Sequence, residues 1–312
     1  MSAEETKRGG VRQTLARLLG SGSFDAVFLA GPALFGLLLF VAVPFAIAII
    51  LSFTNLRMGS PLETQFAGWE QYRRVLGDEA FRRALFNNAL FALVVVPVQT
   101  ALALGLALLL NQQLRGRILF RTLFFMPVVF PMALVAIVWK LLLAPGPDGL
   151  MNSMLQLVTF GAWAPRDFLR DPLLALPAIM VMSIWQGAGF QMVIMLAGRQ
   201  GVPETLYEAA AVEGAGPWRQ FLHVTLPQMR NTIFFVVIVT TILAFRLFDQ
   251  VDILTQGGPQ LATTTVMFEA VRTSFAEARV ARAAAMTVIF FVIVVGLAVV
   301  QRKLLREERE IL

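Results

Sequence analysis

Six stretches of this chain, residues 26–53, 84–110, 122–139, 172–198, 231–253 and 283–301, are almost free of Asp, Glu, Lys and Arg. Crossing the hydrocarbon core of a bilayer takes about 20 mainly apolar residues in a helix. In lipid the backbone must satisfy its own hydrogen bonds, which limits spanning segments to helices and closed barrels. Runs this long dictate an all-α integral membrane protein with six transmembrane helices. The fifth run is interrupted by Arg246, Asp249 and Asp252. Pro32, Pro44, Pro97, Pro127, Pro131 and Pro177 fall within the others and predict kinks.

Composition closes off other classes. Of 312 residues 57% are hydrophobic and only 15% charged, whereas soluble chains carry about 25% charged residues. A soluble enzyme is excluded. The formal charge of +6 is accounted for by the positive-inside rule without invoking nucleic acid. There is no cysteine and only one histidine, His223, so thiolate chemistry and Cys-ligated metals are excluded and no metal site is expected.

An even number of spans puts both termini on one side. That side collects fourteen Lys and Arg, among them Lys7, Arg8, Arg12 and Arg17 before the first span, against ten on the other. Both termini are therefore expected in the cytoplasm. The first apolar run is far longer than the core of a cleaved signal peptide, so it is expected to be retained. The organisation is a cytoplasmic tail over residues 1–25, a membrane domain over 26–301 with a cytoplasmic loop at 199–230, and a second tail at 302–312. Residues 69–85 carry Trp69, Tyr72, Val75, Leu76, Phe81 and Leu85 near helical spacing, which predicts a helix lying in the membrane interface.

The loop between spans four and five reads as two short helices. Pro203 suits a helix start, with Glu204 against the positive end of the dipole. Gly214 is placed to end that helix in a left-handed cap, and Pro217 to begin the next. Between them Ala209, Ala210, Ala211, Gly214, Ala215 and Gly216 leave the backbone almost bare, able to fit closely against another protein.

Glu208-Ala209-Ala210, Gly214 and Val224-Thr225-Leu226-Pro227 resemble the signature of permease subunits of binding-protein-dependent ABC importers: Glu-Ala-Ala, three residues, Gly, nine residues, then Ile-x-Leu-Pro. The departures are Val224 for Ile and Glu213 where the family usually has Asp. The resemblance implies a type I importer permease fold, with Glu208, Ala209, Ala210, Gly214, Ala215, Leu226 and Pro227 coupling to a cytoplasmic ATPase. It implies as partners a second permease subunit in a heterodimer, two copies of the ATPase and an extracytoplasmic binding protein. The chain itself is then not an enzyme and binds no cofactor. It has no phosphate-binding Gly-x-x-x-x-Gly-Lys-Ser/Thr loop, so ATP and Mg are used by the partner subunits, at a prokaryotic cytoplasmic membrane.

Phe248-Asp249, Leu254-Thr255-Gln256-Gly257-Gly258-Pro259 and Thr263-Thr264-Thr265 resemble a segment of the carbohydrate-uptake branch, which includes maltose and glycerol-3-phosphate permeases. Gly149-Leu150-Met151-Asn152, Arg121 and Pro127 also fit that branch. Gln256 stands where the branch often has Gly. The resemblance implies a sugar or sugar-like substrate, with Gly257, Gly258 and Pro259 in a turn facing the receptor.

Arg246, read as lying inside span five, needs a partner or water. Asp249 and Gln250, three and four residues on, share its face on a helix and can satisfy it. Two readings stay open: a substrate path formed by Arg246, Asp249 and Gln250, or an internal ion pair. Trp185, Gln186 and Gln191 add an aromatic face and amides of the kind that bind sugars. An ion-coupled secondary transporter using Asp249 and Asp252 is the alternative.

Overall fold

The structure, a computed structural model, describes residues 21–61, 63–112 and 115–306. The basic residues of the first tail and Arg309 lie outside the described residues. Ser21–Leu37 runs through a π turn, Leu38–Ala42, into Val43–Ser52 as one helix, α1. It is followed by α2 (Glu70–Gly77), α3 (Glu79–Asn111), α4 (Arg117–Val129), α5 (Met132–Leu142) and α6 (Leu150–Val158). Then come α7 (Ala175–Gln200), α8 (Glu204–Val212) and α9 (Pro217–Phe245), the last with a π turn at Phe221–Thr225. Two short helices, α10 (Asp249–Leu254) and α11 (Val266–Val271), precede α12 (Val280–Arg306). No strand is found among the described residues. The π turns of α1 and α9 each end two residues before a proline, Pro44 and Pro227. A proline deprives the preceding turn of an N–H and crowds its carbonyl, and the wider turn relieves both.

Among the described residues five helices are long and apolar enough to cross a bilayer: Leu29–Ser52 within α1, then α3, α7, α9 and α12. The third sequence span is the exception. Its two halves, α4 and α5, meet at 100°, so it is a sharply broken pair of helices and not the single kinked helix expected. The break falls where Phe130 (ψ 139°) and Pro131 (ψ 138°) are both extended, because a proline disfavours the helical region for the residue before it. Pro97, by contrast, lies inside the unbroken α3.

Two further expectations are corrected. Residues 69–85 are not one interfacial helix: α2 stops at Gly77, and extended Asp78 caps α3 by accepting a bond from Ala80 N at 2.9 Å. Phe81 and Leu85 therefore belong to the spanning helix. Span five ends at Phe245, eight residues early, and Arg246, Leu247 and Phe248 form a break before α10.

The bundle has two cores. One joins the N-terminal halves of α3 and α7 to α5, α10 and α11 through Phe91, Val95, Trp139, Ile179, Met182, Val251 and Val266. The other lies at the opposite end of α3 and α7, where Ala103, Ala107 and Leu110 meet Met192, Met195, Leu196, Val202 and Met229. Helices in lipid gain little hydrophobic drive from meeting each other, so close approach and hydrogen bonds count for more. At Gly189 any Cβ would overlap the Phe124 carbonyl oxygen, which fixes how closely α4 crosses α7. Gln191 Nε2 donates to Thr240 Oγ1 at 2.5 Å, joining α7 to α9.

Candidate functional site

The loop after α7 folds from local signals. Helix α8 begins at Glu204, one residue beyond Pro203, and ends in a paired cap: Ala215 N donates to Ala210 O at 2.9 Å and Gly214 N to Ala211 O at 3.0 Å. Gly214 has φ +78°, the left-handed conformation that this cap requires and that costs other residues about 1–2 kcal/mol. Pro217 is the first residue of α9, with extended Gly216 before it. The tip projects from the bundle. Glu208, Ala209, Gly214 and Pro227 are exposed, while Ala210, Ala215 and Leu226 are half-buried. Nothing lies within 4 Å of where a Gly214 Cβ would be. Two apolar side chains that sequence reasoning did not single out, Val212 and Trp218, are 90% and 70% exposed on either side of that glycine.

The base of the loop is tied down. Arg199, buried at the end of α7, donates through both terminal nitrogens to Glu204 Oε1 at 3.3 Å and lies 4.2 Å over the Tyr207 ring. Tyr207 OH in turn meets Thr225 Oγ1 at 2.9 Å, and Tyr207 and Val202 pack on the second core. One side of α8 is thus fastened to α7 and α9 while the other is bare. Sequence reasoning had Arg199 only as one of the fourteen basic residues counted on the cytoplasmic side; its place beside an apolar run and five residues before Glu204 was the available clue.

A recess of about 270 Å³ opens among α3, α7 and the break after α9. It brings together Arg246, Asp249, Gln250 and Gln186 with Gln99 and Ser183, which sequence reasoning passed over. Gln99, an amide within an apolar run, was detectable. Arg246 and Asp249 are exposed and Gln250 is buried. Among the described residues Arg246 and Asp249 form no ion pair with each other or with any other group. The internal ion pair is therefore not present: Arg246 caps the end of α9 and Asp249 begins α10, so the shared helical face that would have joined them does not exist. Gln191 is buried with Thr240 and is not on the recess wall. Trp185 is half exposed, with its ring 5.8 Å from that of Trp139.

The segment 255–266 is held from inside. Thr263, Thr264 and Thr265 are fully buried. Thr265 Oγ1 donates to Leu247 O at 2.8 Å, satisfying a carbonyl freed by the break. Thr264 Oγ1 donates to Glu269 Oε1 at 2.6 Å, and Thr263 Oγ1 to Gly258 O at 2.7 Å. From α3, Asn87 Nδ2 donates to Leu261 O and Thr264 O, both at 2.9 Å, and Asn88 Oδ1 accepts from Val266 N at 2.9 Å. Non-helical backbone in a membrane domain persists where protein groups satisfy it, and these side chains do so. Gly257 (φ +79°) is buried, and a Cβ there would come within 2.8 Å of Phe268, while Gly258 and Pro259 are half-buried.

Residues 99–309 match the family described as "Binding-protein-dependent transport system inner membrane component". The chain is 32% identical over 275 residues to a probable ABC transporter permease, YurN, of Bacillus subtilis, covering 88% of this chain and 93% of that one. It is 31% identical over 297 residues to NgcF, a diacetylchitobiose uptake system permease of Streptomyces coelicolor, covering 92% and 83%. Its fold matches a chain of a bacterial alginate ABC transporter solved with an alginate pentasaccharide-bound periplasmic protein. There the TM-score is 0.79 at 21% identity, over 93% of this chain and 96% of that one.

Proposed function

The chain belongs to the binding-protein-dependent transport system inner membrane components, and from that premise we propose that it carries a sugar or sugar-like solute across a prokaryotic cytoplasmic membrane. It is a multi-pass permease subunit, not an enzyme, and ATP is hydrolysed by a separate chain. The working complex pairs it with a second permease, two copies of an ATPase that use ATP and Mg, and an extracytoplasmic binding protein that delivers the solute. Both termini and the loop at 201–227 face the cytoplasm.

The observation that carries this reading is the loop tip, with its glycine cap in open space and Val212 and Trp218 bare beside it. Exposed apolar side chains rimmed by polar residues mark a protein contact, and a cleft on the ATPase fits them. Arg199 and Tyr207 make α8 move with α7 and α9, so closure of the ATPases is passed to the helices that line the recess. There Gln99, Ser183, Gln186, Thr240 and Gln250 offer donors and acceptors suited to hydroxyl groups, and Arg246 and Asp249 remain free to bind solute or water. The diacetylchitobiose uptake of the Streptomyces relative supports the carbohydrate class. The family gives no support to ion-coupled transport.

The test is uptake of labelled sugars into proteoliposomes holding the whole complex and supplied with loaded binding protein. Transport is expected to stop when internal ATP is withdrawn while ion gradients are maintained. Uptake that follows the gradient without ATP contradicts the reading.

A further inference from the structure

We propose that a second recess, where α1, α2 and α12 meet, seats the phosphate of an anionic phospholipid headgroup. It has a volume of about 280 Å³ and is walled by Arg57, Arg74, Arg279 and Arg282 together with Asn55 and Gln71. Backbone and amide bonds build it: Met58 N donates to Ala278 O at 2.8 Å, Ala281 N to Leu56 O at 3.1 Å, and Gln71 Nε2 to Thr54 O at 3.0 Å.

Four guanidinium groups here exceed the acids that face them. Arg74 pairs with Glu70 at 2.8 Å, Arg279 with Glu277 at 3.1 Å and Arg282 with Asp78 at 2.5 Å. Arg57 has no ion-pair partner among the described residues, and Arg282 Nε is buried without an acceptor. A spare cation and an unused buried donor beside one recess call for an oxyanion, and phosphate matches the planar fork of arginine. The exposed Arg74–Glu70 pair holds its partners weakly enough to share them.

Depth selects the source of that oxyanion. The apolar run of α1 ends at Ser52, and at once Phe53, Phe66, Trp69 and Tyr72 form a ring cluster, with Phe53 5.2 Å from both Trp69 and Tyr72. Phe66 and Trp69 are largely exposed, and aromatic residues at the end of a span mark the headgroup level. A separate apolar recess of about 320 Å³ lies between α1, from Pro44 to Leu51, and α12, from Val280 to Thr287, with Met267, Val271 and Phe275 of α11 and the turn after it closing its third side. A basic pocket at headgroup depth beside an apolar groove suits a lipid with its phosphate in one and a chain in the other. An acidic side chain of a protein partner would leave the groove unused.

The experiment is native mass spectrometry of the purified full chain offered phosphatidylglycerol or phosphatidylcholine. Wild type is expected to retain phosphatidylglycerol about tenfold more strongly, and Arg57→Gln/Arg279→Gln to lose that preference. Inorganic phosphate at high concentration is expected not to displace the lipid. Circular dichroism checks the fold, and if the double variant is misfolded, exposed Arg57→Gln alone is expected to weaken the preference severalfold. Equal retention of both lipids by wild type, an unchanged preference in the variants, or displacement by phosphate alone overturns the proposal. So does loss of receptor-stimulated ATPase activity by the assembled variant in pure phosphatidylcholine, which would make the recess a protein dock.

Discussion

The loop at 201–227 and the segment at 246–266 are both dense in motif residues, yet they are built in opposite ways. In the loop the motif lies on the outside: Glu208, Ala209 and Gly214 touch little, and a side chain added at Gly214 would meet nothing. In the segment the motif lies inside: the three threonines are fully buried and their hydroxyls satisfy other groups, including the carbonyls of Leu247 and Gly258. An exposed tip answers to a partner, whereas a buried break answers to the chain's own unpaired backbone. A change in the segment should therefore damage folding, and a change at the tip should damage coupling while folding persists.

The largest effect on folding is expected at Asn87. Asn87→Ala leaves the carbonyls of Leu261 and Thr264 without their amide donor, at a cost of about 2–5 kcal/mol. Thermal unfolding in detergent should show it as a clear drop in midpoint, and an unchanged midpoint would break the contrast.

Next comes Gly257→Ala, which must displace Phe268 and hold φ near +79°. We expect about 1–3 kcal/mol of destabilisation by the same assay, with receptor docking retained in the fraction that folds. Docking lost at full stability would move this turn to the partner-facing class.

Tyr207→Phe sharpens the comparison at the base of the loop. It removes the 2.9 Å bond to Thr225 but keeps the ring under Arg199. Its folding cost should be about 1 kcal/mol, and limited proteolysis should find the loop cut faster than in wild type.

The smallest folding effect is expected for Val212→Ser, at a side chain 90% exposed. Stability should stay within about 0.5 kcal/mol of wild type, while the ATPase should co-purify less well. Co-purification at the wild-type level would remove Val212 from the contact.

These contrasts also mark what the sequence could reveal. Helix starts and stops in the loop depend on neighbours a few residues away, so Gly214 and Pro217 could be read directly. The break at Phe130–Pro131 could not, because Pro97 has the same local chemistry and remains inside an unbroken helix. Packing of α4 on α7 and of α5 on α10 separates the two cases. The ion pair read for Arg246 and Asp249 rested on a continuous helix, whereas the chain turns at Leu247 and Phe248 because Thr265, eighteen residues on, takes up the Leu247 carbonyl. In the recess Arg246, Asp249, Gln250 and Gln186 were identified in advance. Gln99 was not, because its role depends on which face of α3 meets α7.

The central claim, that the loop tip meets the ATPase, has a direct measurement because the chain contains no cysteine. Ala209→Cys carries one thiol at the exposed tip, and Thr264→Cys carries one inside the segment. In the assembled transporter, a short crosslinker is expected to join Ala209→Cys to the ATPase chain, with a yield that changes between the nucleotide-free and ATP-bound states, while Thr264→Cys stays unreacted. Crosslinking of Ala209→Cys to the binding protein, or its labelling in intact cells by a membrane-impermeant reagent from outside, would contradict the account.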